Sequence, residues 1–189
     1  MNRIDYRQVF REVYAPPRQA IVRITVPPRR CLAVDGEGSL SSSAFTEAVA
    51  AVRSLARAIR RRIQRGPMAL EFRLMPLEVQ WHDPQRWTVL VFQPPVLDAA
   101  LVAAEQATLA AGAAARIEFR HLPEAQALQT LHAGGLNTLP DALDRLQAFA
   151  TTHGLRLTDG HLAIDLGDPR KPPFSCDKML VRRELLGNE

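Results

Sequence analysis

The residues best suited to chemistry lie in two short alternating runs that both end in Asp-Pro. The first is Leu74–Pro84, L-M-P-L-E-V-Q-W-H-D-P, and the second is His161–Pro169, H-L-A-I-D-L-G-D-P. In the first run Glu78, Gln80 and His82 alternate with Leu77, Val79 and Trp81, so a strand there has one polar and one apolar face. Aligning Asp83 with Asp168 sets Leu162, Ile164 and Leu166 against Leu77, Val79 and Trp81. The same alignment sets Ala163, Asp165 and Gly167 against Glu78, Gln80 and His82. The polar faces of both runs are therefore expected to line one shared cleft. A carboxylate in a cleft can hold a cation, or act as a base once burial raises its pKa, which makes Glu78 the candidate catalytic residue. Gln80, His82 and Asp165 are candidate ligand-binding residues beside it. His132 and Trp81 complete the set, each with a plainer reading: His132 as a hydrogen-bonded structural histidine, Trp81 as core packing. Glu78, His82, His132 and Asp165 share no ligand spacing on one helix or hairpin, so no metal is expected and no cofactor is called for.

The elements that must position these residues follow from the pattern on either side of them. Ile21–Val26 and Arg30–Val34 read as strands, the second turned by Asp35-Gly36-Glu37-Gly38. Ser41–Ser43 offer capping hydroxyls to a helix whose stripe runs Phe45, Ala48, Val49, Val52, Leu55, Ala56, Ile59, Ile63. Its end, Arg60–Arg62, reads as a solvated helix terminus. Apolar parity switches at Pro76, which predicts a break between Leu70–Leu74 and the strand bearing Glu78. Trp87–Phe92 is the next strand, and Asp98 caps an alanine-rich connecting helix to about Gly112. The order then recurs: strands at Arg116–Arg120 and Ala127–His132, a helix opened by Thr138-x-x-Asp141 and ended at Gly154, then strands at His161–Asp168 and Lys178–Arg183. The expected fold is α+β, a duplicated β-α-β-β unit in one domain over 1–189, with repeats at about 21–95 and 116–186 joined by the helix at 98–112. The two units make one mostly antiparallel sheet, with helices on one side and a ligand cleft at the pseudo-two-fold. Residues 1–20 are mixed and polar, with Tyr6, Phe10, Val13 and Tyr14 as docking points.

Composition narrows the classes. The 189 residues are 47% hydrophobic and 23% charged, the balance of an ordinary globular protein. No apolar run approaches the ~20 residues of a membrane span, and the N-terminus lacks a signal-peptide core, so a cytoplasmic protein with no membrane partner is expected. A formal charge of +4 does not by itself imply nucleic acid. Cys31 and Cys176 have no metal-ligand spacing and read as reduced structural thiols.

Taken in order, the residues resemble a stand-alone member of the GyrI-like small-molecule-binding family, related to the ligand-binding halves of some transcription regulators and of SOUL-type fold. The resemblance runs through Ile4-Asp5-Tyr6, Leu32–Gly38, Met75-Pro76-Leu77-Glu78 with Trp81, Gln93-Pro94, Glu124, Gln129, His132, Gly134, Gly154 and Asp168-Pro169-Arg170. It implies a cleft for amphipathic, often cationic or strained, small molecules, and some stand-alone relatives hydrolyse cyclopropane-bearing compounds. The chain departs from the family where Ala163 replaces glutamate, Asp165 tyrosine, His82 a second tryptophan, and Gly135-Leu136 a Pro-Tyr pair. Three functions follow as expectations. The first is binding of an amphipathic or cationic small molecule; the second is a hydrolase of strained or electrophilic compounds using Glu78. The third is a protein-binding modulator of gyrase-inhibitor type. The departures weigh against inherited catalysis, and the cleft is expected to prefer a polar cation held by Glu78 and Asp165.

Overall fold

An antiparallel sheet of eight strands organises the computed structural model, which describes residues 2–15, 21–109, 116–168, 170–175 and 178–187. The elements in chain order are β1 (Asn2–Ile4), α1 (Tyr6–Val9), α2 (Arg11–Tyr14), β2 (Ile21–Val26), β3 (Arg29–Glu37), α3 (Ser43–Arg65), β4 (Leu70–Phe72), β5 (Leu77–Trp81) and β6 (Arg86–Gln93). They continue with α4 (Ala99–Ala107), β7 (Glu118–Leu122), β8 (Ala125–Ala133), α5 (Leu139–Thr152), β9 (His161–Asp165) and β10 (Lys178–Glu184). The sheet order is β2-β8-β10-β9-β5-β6-β3-β7. The expected repeat is present as β3-α3-β5-β6 and β8-α5-β9-β10, meeting where β5 pairs with β9. Each repeat sends its leading strand to the other: β2 pairs with β8, and β7 with β3. That exchange locks the halves together and leaves short edge strands outermost.

α3 and α5 cover one face of the sheet. Ser42 caps α3, its Oγ accepting from the Phe45 N–H at 3.2 Å. The stripe from Phe45 to Ile63 is buried as its 3.6-residue spacing requires. Phe45 meets Trp87 edge-on at 5.2 Å, and the Trp87 ring lies where a side chain at Gly36 would go, so that strand position excludes a Cβ. Leu139, Ala142, Leu146 and Ala150 form the buried face of α5. Thr138 does not cap α5 as its spacing suggests; its hydroxyl instead donates to the Gly135 carbonyl at 3.0 Å.

The break at Pro76 takes β4 out of the main sheet, and it pairs in parallel with β1. The N-terminal segment does more than dock. α1 and α2 lie against the sheet face opposite α3 and α5, with Tyr6, Val13 and Tyr14 buried and Phe10 edge-on to Phe92 at 5.2 Å. No described helix is long and apolar enough to cross a membrane. Cys31 is a buried free thiol, and burial followed by the nearby Glu78 charge pushes its pKa up to about 12; Cys176 lies outside the described residues.

Candidate functional site: a groove over the seam between the repeats

Directly paired residues on adjacent strands share a face, so the β5–β9 register decides which candidates can meet. Glu78 pairs with Ile164 and Gln80 with Leu162; Val79 pairs with Ala163 and Trp81 with His161. The expected pairing of Glu78 with Ala163 on one face is therefore one residue out of phase. Glu78 and Asp165 project from opposite faces and cannot share a cleft. The physical reason is burial on both sides. Leu162, Ala163 and Ile164 are all buried, so β9 is apolar at both parities and alternation could not fix its phase.

On the face away from α3 and α5, Glu78 is sealed. It has no exposed surface, the Tyr14 hydroxyl donates to its Oε1 at 2.6 Å, and Arg29 Nη1 donates to Oε2 at 2.8 Å. Burial and the Glu78 charge hold the Tyr14 phenol well above its usual pKa. Beside them, Arg182 and Gln129 grip the Val13 carbonyl, each at 3.0 Å, while Arg182 Nε donates to Gln129 Oε1 at 2.8 Å. Burial, reinforced by the Arg29 charge, brings Arg182 down to about 10. This is a clamp that fastens the N-terminal segment to the sheet. Gln80 lies on the same face, half-buried, its amide donating to the Trp81 carbonyl.

On the helix face, a groove runs over the seam. Its larger part is a cavity of about 700 Å³ between α3 and the 170–174 loop. Phe45, Val49, Arg53 and Arg57 line it at four-residue spacing along one side of α3. Opposite them stand Lys171, Pro173 and Phe174, with Leu40 and Leu136 closing the end. Leu40 and Leu136 also line an adjoining cavity of about 450 Å³, whose wall includes Trp81, His161, Leu139 and Leu143. Trp81 stacks on His161 with ring centres 5.0 Å apart and planes 9° apart, and lies 6.4 Å from the Phe174 ring. His161 Nε2 is buried with no hydrogen-bond partner among the described residues. Burial, and then the Arg183 charge, hold this imidazole down at about 4, so it is neutral at physiological pH.

Asp165 organises the groove's outer wall. Its carboxylate accepts from the Gly167 N–H at 2.8 Å and the Phe174 N–H at 3.0 Å, and lies 3.9 Å from Arg53 Nη2. Arg53 in turn donates to the Lys171 carbonyl at 3.0 Å. Phe174 has φ of +54°, a left-handed conformation costly for a residue with a Cβ. The Asp165 bond stabilises that conformation and presents the ring to the groove. His132 acts at the opposite end: buried, with Nε2 3.1 Å from Thr138 Oγ1 and 3.3 Å from the Gly135 carbonyl, it fixes the short 3-10 turn that carries Leu136.

Of the six residues singled out from sequence, the structure brings Trp81 to the groove and sets Asp165 behind its wall, where it lines a separate cavity of about 250 Å³ with Arg53. His82 stands exposed at its rim, its Nε2 2.7 Å from Thr88 Oγ1, which donates to Asp35 Oδ1 at 2.6 Å. His132 supports the groove from beneath, while Glu78 and Gln80 belong to the opposite face. Sequence reasoning passed over His161, Phe174, Arg53, Arg57 and Leu136. The α3 stripe did carry a signal, because its four-residue series changes from apolar at 45 and 49 to cationic at 53 and 57. Phe174, in a proline-rich loop, carried none. Among the described residues no group of three or more His, Cys, Asp or Glu side chains is placed to hold a metal ion.

No protein-family model matches the chain, and no curated protein is recognisably similar in sequence. Its fold does have solved counterparts. An uncharacterised conserved protein from Listeria innocua superposes with a TM-score of 0.84 at 23% identity, over 97% of this chain and all of the other. A hydrolase from the same organism gives 0.84 at 22% identity, over 98% of this chain and all of the other. The EcmrR C-terminal domain gives 0.55 at 10% identity, over 89% of this chain and 98% of that domain.

Proposed function

We propose that this chain is a GyrI-like ligand-binding protein that holds an amphipathic small molecule in the groove over the β5–β9 seam. One observation carries the reading: a cavity of about 700 Å³ lined by Leu40, Phe45, Val49, Leu136 and Phe174 together with the charged residues Arg53, Arg57, Arg170 and Lys171. A concave, largely apolar site with a few placed polar groups is the usual form of a small-molecule pocket. The strained Phe174, held in place by Asp165, is the kind of local cost that persists where it shapes a site. Thermal unfolding with a panel of amphipathic compounds tests this, because a ligand of the native state raises Tm by an amount that grows with the logarithm of its concentration over its Kd. Ala50 is exposed on α3 and lines the cavity, so Ala50→Trp fills the groove without disturbing the core. Compounds that raise the wild-type Tm should leave that variant unmoved; equal shifts in both would place binding elsewhere.

Hydrolysis of a strained or electrophilic compound is a second reading, favoured by the unpartnered Nε2 of His161 beside Trp81 and by the fold shared with the Listeria hydrolase. Glu78 faces away from the groove, so acid–base chemistry there would fall to His161 or Asp165. Ring opening of a cyclopropane-bearing compound by the wild type, lost in His161→Gln, supports this reading. Turnover unchanged in that variant removes His161 from it.

A further inference from the structure

The charge of the groove is one-signed where it is widest. Arg53, Arg57, Arg170 and Lys171 all line the larger cavity, and no Asp or Glu among its described lining residues opposes them. Two of the four have partners: Arg170 is paired with Asp168 at 2.8 Å, and Arg53 lies 3.9 Å from Asp165. Arg57 makes no ion pair among the described residues and sits four residues from Arg53 on the same side of α3. Like charges at that spacing are mutually destabilising, and the Arg57 charge adds to burial in holding the Arg53 pKa below its ordinary value. The cationic character continues past Arg53, where Arg7, Arg60 and Arg73 line a smaller cavity of about 250 Å³ with Asp165. The adjoining 450 Å³ cavity does contain Asp83 and Asp159. Asp83 is tied to Arg86 at 2.5 Å, while Asp159 is exposed, makes no ion pair among the described residues and lines only this adjoining cavity.

We infer that the ligand of this groove is an amphipathic organic anion. Its apolar body rests against Phe45, Val49, Leu136 and Phe174, and its carboxylate, sulfonate or phosphate group meets Arg57 and Lys171. The inference rests on the binding reading above and reverses the cationic preference expected from sequence, which depended on Glu78 and Asp165 facing one cleft. Arginine suits the role because its planar fork pairs with an oxyanion through two parallel N–H bonds and holds its charge at any working pH. An anion there also relieves the repulsion between Arg53 and Arg57, so binding and helix stability are coupled.

Tetraphenylborate and tetraphenylphosphonium have nearly the same shape and opposite charge, so calorimetric titration with each separates sign from size. The wild type should bind tetraphenylborate at least about ten-fold more tightly, the scale of one close charge interaction in a partly wet site. Arg57 and Lys171 are both exposed, so the double variant Arg57→Gln, Lys171→Gln keeps the fold. That variant should erase most of the difference by weakening tetraphenylborate, while tetraphenylphosphonium binds no worse. Tetraphenylphosphonium binding as tightly as tetraphenylborate to the wild type, or a preference unaffected by the double variant, overturns the inference. Ala50→Trp separates the two levels: probes that bind it as well as the wild type, or that never bind the wild type, sink the groove reading itself. Binding lost in Ala50→Trp without charge preference sinks only the anion.

Discussion

Glu78 illustrates how a carboxylate in an alternating strand takes its role from what lies over it. Here a tyrosine from the N-terminal segment and an arginine from β3 occupy both its oxygens, and no water-accessible surface remains. Removing one partner of a buried ion pair leaves the other charge uncompensated, so Glu78→Gln should destabilise the fold by about 3–5 kcal/mol in urea unfolding. Tyr14→Phe removes a hydrogen bond to a charged group and should cost about 1.5–3 kcal/mol. A loss below about 0.5 kcal/mol for Glu78→Gln would mean that the clamp is not structural. His161 gives a second expectation. Its folded pKa, about 4, lies below its ordinary value of 6.5, so the unfolded chain binds more protons between those values. Stability from keeping the imidazole neutral is complete above pH 6.5 and is lost as pH falls toward 4. His161→Gln should flatten the stability–pH curve across that window, and an unchanged curve would show that another group sets it.

The loop after β9 is the element on which the site depends most. Asp165 joins Gly167, Phe174 and Arg53, so it holds a strained turn and the helix wall together. Asp165→Ala leaves two backbone donors without their acceptor and should cost about 1–3 kcal/mol. Ligand affinity should fall with it, and cleavage by protease at residues 166–175 should rise; unaltered proteolysis would separate Asp165 from loop order. The regular elements were legible from sequence because each has one dominant period. The α3 stripe, the break at Pro76 and the strand-helix-strand-strand order all follow from it. The face of Asp165 was not, because β9 is buried at both parities, and a one-residue slip moves every side chain across the sheet. Thr138 likewise had cap spacing but bonds to Gly135, since His132 and the 3-10 turn compete for its hydroxyl.

For the whole molecule, the exchanged leading strands set two different faces on one sheet. On one, the chain's own N-terminal segment covers Glu78, and on the other a groove lies between α3 and the 170–174 loop. Duplication was legible in the sequence; which face remains open was not, because residues 1–20 look like an unremarkable polar lead until Tyr14 meets Glu78. The central claim is that ligand enters on the helix face. Amide and indole resonances followed during titration with tetraphenylborate test it most directly. Signals from Arg53 to Arg57, from Phe174 and from the Trp81 indole should shift, while those of Tyr14 and Arg29 stay in place. Shifts confined to Tyr14, Arg29 and their neighbours would put the binding site on the sealed face and contradict the account.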